Sequence, residues 1–188
     1  GALAFFTSII VWGIGTGCFA AVLNNYLVDI HQLNPYERGW LEFFREMPGL
    51  LLVFILALLH RVSDWNILRL GAMISMLGVG AMFIPGDKFA VTLLIMIWSL
   101  GEHLAMPVRS SIAMQIARAG RLGQSLGMVT SVQNAGTVLG SLIVAAIFFV
   151  GQNHCETHHK LLLYNLVWGI ILILVILILH SLPETVIV

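Results

Sequence analysis

LLLYNLVWGIILILVILILHSL, residues 161–182, decides the fold class of this chain. The stretch holds no Asp, Glu, Lys or Arg. A helix that crosses a bilayer needs about 20 largely apolar residues, and this run supplies them. Working back from it, five more segments read the same way: 2–27, 36–59, 67–84, 89–117 and 122–150. The breaks between them carry turn and cap chemistry. Asn34-Pro35 starts a helix, Ser63-Asp64 sits in a polar gap, and Pro85-Gly86-Asp87 is a turn. Ala119-Gly120 lies between arginines, and Gly151-Gln152-Asn153 ends the fifth segment. Strands of a membrane barrel would be about 10 residues long with strict alternation, a pattern this chain lacks. The sequence therefore predicts an all-α polytopic membrane protein, with residues 1–188 forming one six-helix transmembrane bundle.

Composition agrees. Of 188 residues, 59% are hydrophobic and 10% charged, with a mean hydropathy of +0.97. A soluble domain carries about 25% charged and about 45–50% apolar residues. Nine Lys plus Arg balance nine Asp plus Glu, so no basic excess points to nucleic acid. Cys18 and Cys155 make no disulfide framework. No basic stretch precedes the first apolar segment, which reads as a span and not as a cleavable signal. A chain starting at Gly1 points to a processed or longer natural N-terminus.

The gaps after the second and fourth segments hold Arg61, Arg69, Arg118 and Arg121. The other gaps hold Arg38, Lys88 and Lys160 among acids. Basic loops stay in the cytoplasm, so both termini are expected there. Small residues recur every fourth position at Gly123, Gly127, Ser131 and Ala135, and again at Gly136 and Gly140. That spacing lets helix backbones approach closely.

Ionisable groups inside a span cost about 2.5–3.5 kcal/mol each on insertion scales, so each asks for a partner or a wet cavity. Glu42, Arg45 and Glu46 share one face of the second segment. Glu102 and Arg109 share a face of the fourth, with His103 turned by about 100° from Glu102. Gln133 and Asn134 lie near the middle of the fifth. Polar groups from three helices at similar depth suit a solvated cavity with a substrate or proton path through Arg45, Glu46, Glu102, His103, Arg109, Gln133 and Asn134. Plainer readings stand beside this one. Glu42 and Arg45 also fit an intrahelical pair, Arg109 fits snorkelling to the inner surface, and His103 fits a packing role. Pro107 should kink the fourth helix at His103, whose carbonyl it deprives of a donor. His154 and His158 are four apart and form a weak metal candidate without a second cluster. No metalloprotease, nucleophile-elbow or phosphate-loop motif is present, so the sequence reads as a non-enzyme.

Five stretches resemble the major facilitator superfamily of transporters. They are Asn34-Pro35-Tyr36-Glu37-Arg38-Gly39; Arg45-Glu46-Met47-Pro48-Gly49; the inner loop from His60 to Gly71; Gly101-Glu102-His103 through Pro107-Val108-Arg109; and Arg118 to Gly127 followed by Gly136-Thr137-Val138-Leu139-Gly140. Arg61 matches the arginine of the family's inner-loop signature, with His60 at the acid's place and Leu56 at its glycine. Gly140-Ser141 stands where the family has Gly-Pro. The resemblance implies one six-helix half, built as two three-helix repeats, that meets a second half from a longer chain or by dimerisation. A fragment, a self-pairing half and a degenerate relative all fit. It further implies a secondary active transporter of a small solute working by alternating access, proton-coupled, in a bacterial inner membrane and without a cofactor. Glu46 and Glu102 would carry protons or cations. Arg45 and Arg109 would set their ionisation or bind an anionic substrate, and Arg61 would belong to the inner gate. A membrane scaffold or accessory subunit is the alternative.

Overall fold

The computed structural model describes residues 2–84, 86–151 and 157–182, with the side chains of 157–159 excepted. Every regular element is helical: α1 (Ala2–Asp29), α2 (Pro35–Leu58), α3 (Asp64–Gly80) with a 3₁₀ turn at Ala81–Phe83, α4 (Lys88–Gln115), α5 (Leu122–Gly151) and α6 (Thr157–Ser181). The starts follow from local chemistry. Asn34 and Glu37 form a reciprocal capping box, each backbone N–H donating to the other's side chain at 2.9 Å. Pro35 occupies the first turn, where its missing N–H costs nothing. Ser63 caps α3, and Asp87 caps α4 by accepting from the Ala90 N–H at 2.7 Å. Gly120, at φ +76, makes the left-handed step that separates α4 from α5.

Among the described residues, five helices are long and apolar enough to cross a membrane: α1, α3 with its 3₁₀ turn, α4, α5 and α6. The chain is thus a helical membrane protein of the multi-pass kind. The sixth expected span is the exception. α2 has 24 residues, but Glu37, Arg38, Glu42, Arg45 and Glu46 leave it too charged to qualify on composition.

Packing divides the helices into an inner set and two outer ones. α1, α3, α4 and α6 supply nearly all of the core, whereas α2 buries only Leu41 and Pro48. α5 buries Val129, Gly136, Gly140 and Val144. The most extensive contacts are α1 with α5 and α3 with α4; α1 and α3 also meet α6. Among the described elements the backbone of α2 packs on α4 alone, supplemented by Arg38 donating to Asn24 of α1 at 2.6 Å.

Glycine decides which faces meet. A Cβ on Gly13 or Gly17 would overlap the carbonyl of Gln133 or Thr137, and one on Gly136 or Gly140 would overlap the carbonyl of Ile10 or Ile14. The α1–α5 seam is therefore backbone against backbone. Gly123 and Gly127, at the same four-residue spacing, have open space around them. The first small-residue repeat read from the sequence is not the seam; the second is. Elsewhere in the core Phe19 stacks on Trp98 at 3.6 Å, and Tyr26 meets Tyr164 and Trp168 edge-on.

Candidate functional site

α4 presents adjacent residues, Glu102 and His103, to opposite neighbours. Glu102 turns towards α1, where Oε1 accepts from the Trp12 indole N–H at 2.6 Å. Its Oε2 lies 3.9 Å from Arg109 Nη2, two turns further along the same helix. The Arg109 guanidinium sits over the Trp12 ring, 4.8 Å from its centroid. Trp12 thus holds the acid by its edge and the base by its face. Arg109 does not snorkel, because only 3% of its side chain is exposed. Its Nη1 is buried with no hydrogen-bond partner among the described residues. Beside Glu102 lies a cavity of ≈ 20 Å³ touched by Trp12, Thr16 and Ser75, room for about one water with polar partners. Loss of water disfavours the charged carboxylate, while the indole and guanidinium favour it.

His103 turns towards α2. Arg45 bridges Glu42 at 2.6 Å and Glu46 at 2.9 Å. The other oxygen of Glu46 lies 3.5 Å from His103 Nε2. His103 Nδ1 is 2.9 Å from the Ser99 carbonyl and 3.0 Å from the Ser99 hydroxyl. That hydroxyl donates to the Arg45 carbonyl at 2.5 Å, so its proton is committed elsewhere. Both neighbours of Nδ1 therefore accept, and Nδ1 carries the hydrogen. In a neutral imidazole Nε2 then has a lone pair facing the Glu46 carboxylate. Gly49 makes room for the ring: a Cβ there would come within 2.7 Å of Nε2. The Glu46 side chain is 55% exposed, so this second cluster opens outward while the first is enclosed.

Gln133 and Asn134 join neither cluster. Gln133 is half-buried on the α1 side and Asn134 is exposed. Neither side chain has a hydrogen-bond partner among the described residues, and α2 and α5 do not touch. The polar groups thus form two separate clusters and not one ring. α4 runs helical through Pro107, which lines a cleft of ≈ 250 Å³ with Leu56, His60 and Asp64.

In the α2–α3 connection Arg61 is exposed and makes no ion pair among the described residues. The link between α3 and α4 belongs to Asp64, which accepts from Ser111 at 2.5 Å and Gln115 at 2.7 Å. His154 and the side chain of His158 lie outside the described residues. Among those described, no group of three or more His, Cys, Asp or Glu is placed to hold a metal ion.

Sequence reasoning missed Trp12 and Ser99. A polar-tipped aromatic in mid-span must find an acceptor, which was the available signal for Trp12. Ser99 offered none, since a helical serine ordinarily bonds within its own turn. No protein-family model matches the chain, and no curated protein matches it.

Proposed function

We propose that this chain is a six-helix transport unit, one half of a major-facilitator-type secondary transporter, coupling a small solute to protons by alternating access. The observation that carries the reading is the 3.5 Å contact of His103 Nε2 with Glu46. With Nδ1–H committed to Ser99, two acceptors face each other unless a proton lies between them. The pair is a proton-binding element on an open face, and Arg45 is the counter-charge that competes for Glu46. Behind it, Glu102 and Arg109 form a second acid–base pair on the same helix. Such groups inside a membrane protein mark proton and substrate paths.

Three further features support the half-transporter form. α2 acts as the sixth span, its charges matched among Glu42, Arg45, Glu46 and His103. The helix pairs α1–α5 and α4–α2 exchange if α1–α3 is swapped with α4–α6, as do α3–α4 and α6–α1; two inverted three-helix repeats give that pattern. α2 exposes Phe43, Leu50, Val53 and Phe54, and α5 exposes Val138 and Leu142, faces that a second half would cover. The end bearing Arg61, Arg118 and Arg121 then faces the cytoplasm, with both termini.

Proteoliposomes holding a pH-sensitive dye test the proposal with a panel of sugars, amino acids and organic acids. Solute-dependent proton entry, lost in Glu46→Gln and in His103→Asn, is expected. No solute-dependent proton movement, or movement unchanged in both Glu46→Gln and Glu102→Gln, refutes it. The alternative, a scaffold that transports nothing, draws on the enclosed Trp12–Glu102–Arg109 cluster, whose charges are matched inside one bundle. It predicts folded protein and no proton entry.

A further inference from the structure

We infer that the turn between α4 and α5 binds the headgroup of an anionic phospholipid, with Arg118 and Arg121 as its ligands. The two ends of the bundle treat their cations differently. At the α1–α2 end, Lys88 pairs with Glu37 at 2.6 Å, Lys160 with Asp29 at 3.5 Å and Arg38 with Glu42 at 3.7 Å. At the other end Arg118 and Arg121 are exposed, and neither has an acidic partner among the described residues. The left-handed step at Gly120 and the bond from the Arg121 N–H to the Arg118 carbonyl, 3.0 Å, fold the two arginines into one tight turn.

Both arginines line one cavity of ≈ 340 Å³, together with Gln124 and the apolar side chains of Phe6, Ile116 and Met128. Ser125, which also borders it, is spent on the Ala113 carbonyl at 2.7 Å. Two guanidiniums match the oxygens of a phosphate diester. A free ion has no use for the apolar wall, whereas the first carbons of an acyl chain do. The turn joins two membrane-length helices and so lies at headgroup depth. A zwitterionic lipid would bring its own ammonium against the arginines, so net negative charge is selected.

The full chain in detergent, analysed by native mass spectrometry, tests this with dioleoylphosphatidylglycerol, dioleoylphosphatidylcholine and inorganic phosphate. The phosphatidylglycerol complex should be favoured over the phosphatidylcholine complex by about 30-fold, about five-fold per arginine. Arg118→Gln/Arg121→Gln should abolish the preference. Arg118→Lys/Arg121→Lys should keep most of it, and Arg61→Gln, at the same end of the bundle, should keep all of it. An undiminished preference in the double Gln variant overturns the site. Equal loss in Arg61→Gln reassigns the effect to diffuse surface charge. Displacement of the lipid by millimolar inorganic phosphate makes it a free-anion site; each of these two results also overturns the lipid assignment.

Discussion

Arg109→Leu should be among the most damaging single substitutions in the bundle. It strands Glu102, whose side chain is only 16% exposed. At the observed 3.9 Å the attraction between the two charges is about 4 kcal/mol for an effective dielectric of ~20. Removing one partner of a buried pair costs about 3–5 kcal/mol, because the remaining charge keeps its desolvation penalty. Glu102→Gln should cost a similar amount, since it strands Arg109. The double variant removes both charges and should be far less damaging than the sum, with a coupling energy of about 2–3 kcal/mol. Reversible unfolding in mixed micelles, followed by far-ultraviolet circular dichroism, measures all four corners of the cycle. Tryptophan fluorescence is unsuitable, because Trp12 contacts both altered residues. If the two single costs add to within about 0.5 kcal/mol, the groups do not act as a pair and the reasoning fails.

Gly17→Ala should cost at least about 2 kcal/mol, since the obstacle is the Thr137 carbonyl and not a movable side chain. Gly127→Ala, with open space around it, should be neutral or stabilising by up to about 1 kcal/mol through helix propensity; melting temperatures of the two variants decide this. His31, in the turn after α1, is buried against Tyr26, and its burial lowers its pKa from the ordinary value. The unfolded chain therefore binds a proton first. Stability should be unaffected above about pH 6.5 and fall as the pH drops below it, levelling off once the folded state is protonated too. Melting between pH 7.5 and 5.5 should be less pH-dependent in His31→Phe; an identical pH dependence would show that another group titrates.

Much of this architecture was readable from residue order. Apolar runs, the helix start at Asn34-Pro35 and the turn at Pro85-Gly86-Asp87 placed the helices to within a few residues, because each boundary is a local event. The shared face of Glu102 and Arg109 was equally local, being set by helical periodicity. What escaped depended on partners far along the chain. Trp12 reaches Glu102 across 90 positions of sequence; a mid-span indole N–H signals that it needs an acceptor but not which one. Gly127 and Gly140 look alike in sequence, yet only the second meets α1, because Ile14 and Cys18 supply the opposing backbone. The contact of Asp64 with Ser111 was equally hidden, since it depends on the start of α3 lying beside the end of α4. The single cavity inferred from polar groups at one depth divided into two clusters for a related reason. Depth follows from counting residues, whereas azimuth depends on the packing of α2 and α5.

The solitary packing of α2 has a consequence for biogenesis. During synthesis, α2 leaves the ribosome with Glu42, Arg45 and Glu46 unshielded by any neighbour. The helix that shelters them, α4, begins at Lys88, 30 residues after α2 ends at Leu58. A segment this charged gains little by partitioning alone into lipid. It must wait at the insertion machinery or at the interface, loosely held by Arg38 and Asn24, until α4 emerges. With α2 as the sixth span proposed above, its insertion is a late, cooperative event governed by α4, and a nascent chain stopped before α4 should leave α2 accessible from the aqueous side.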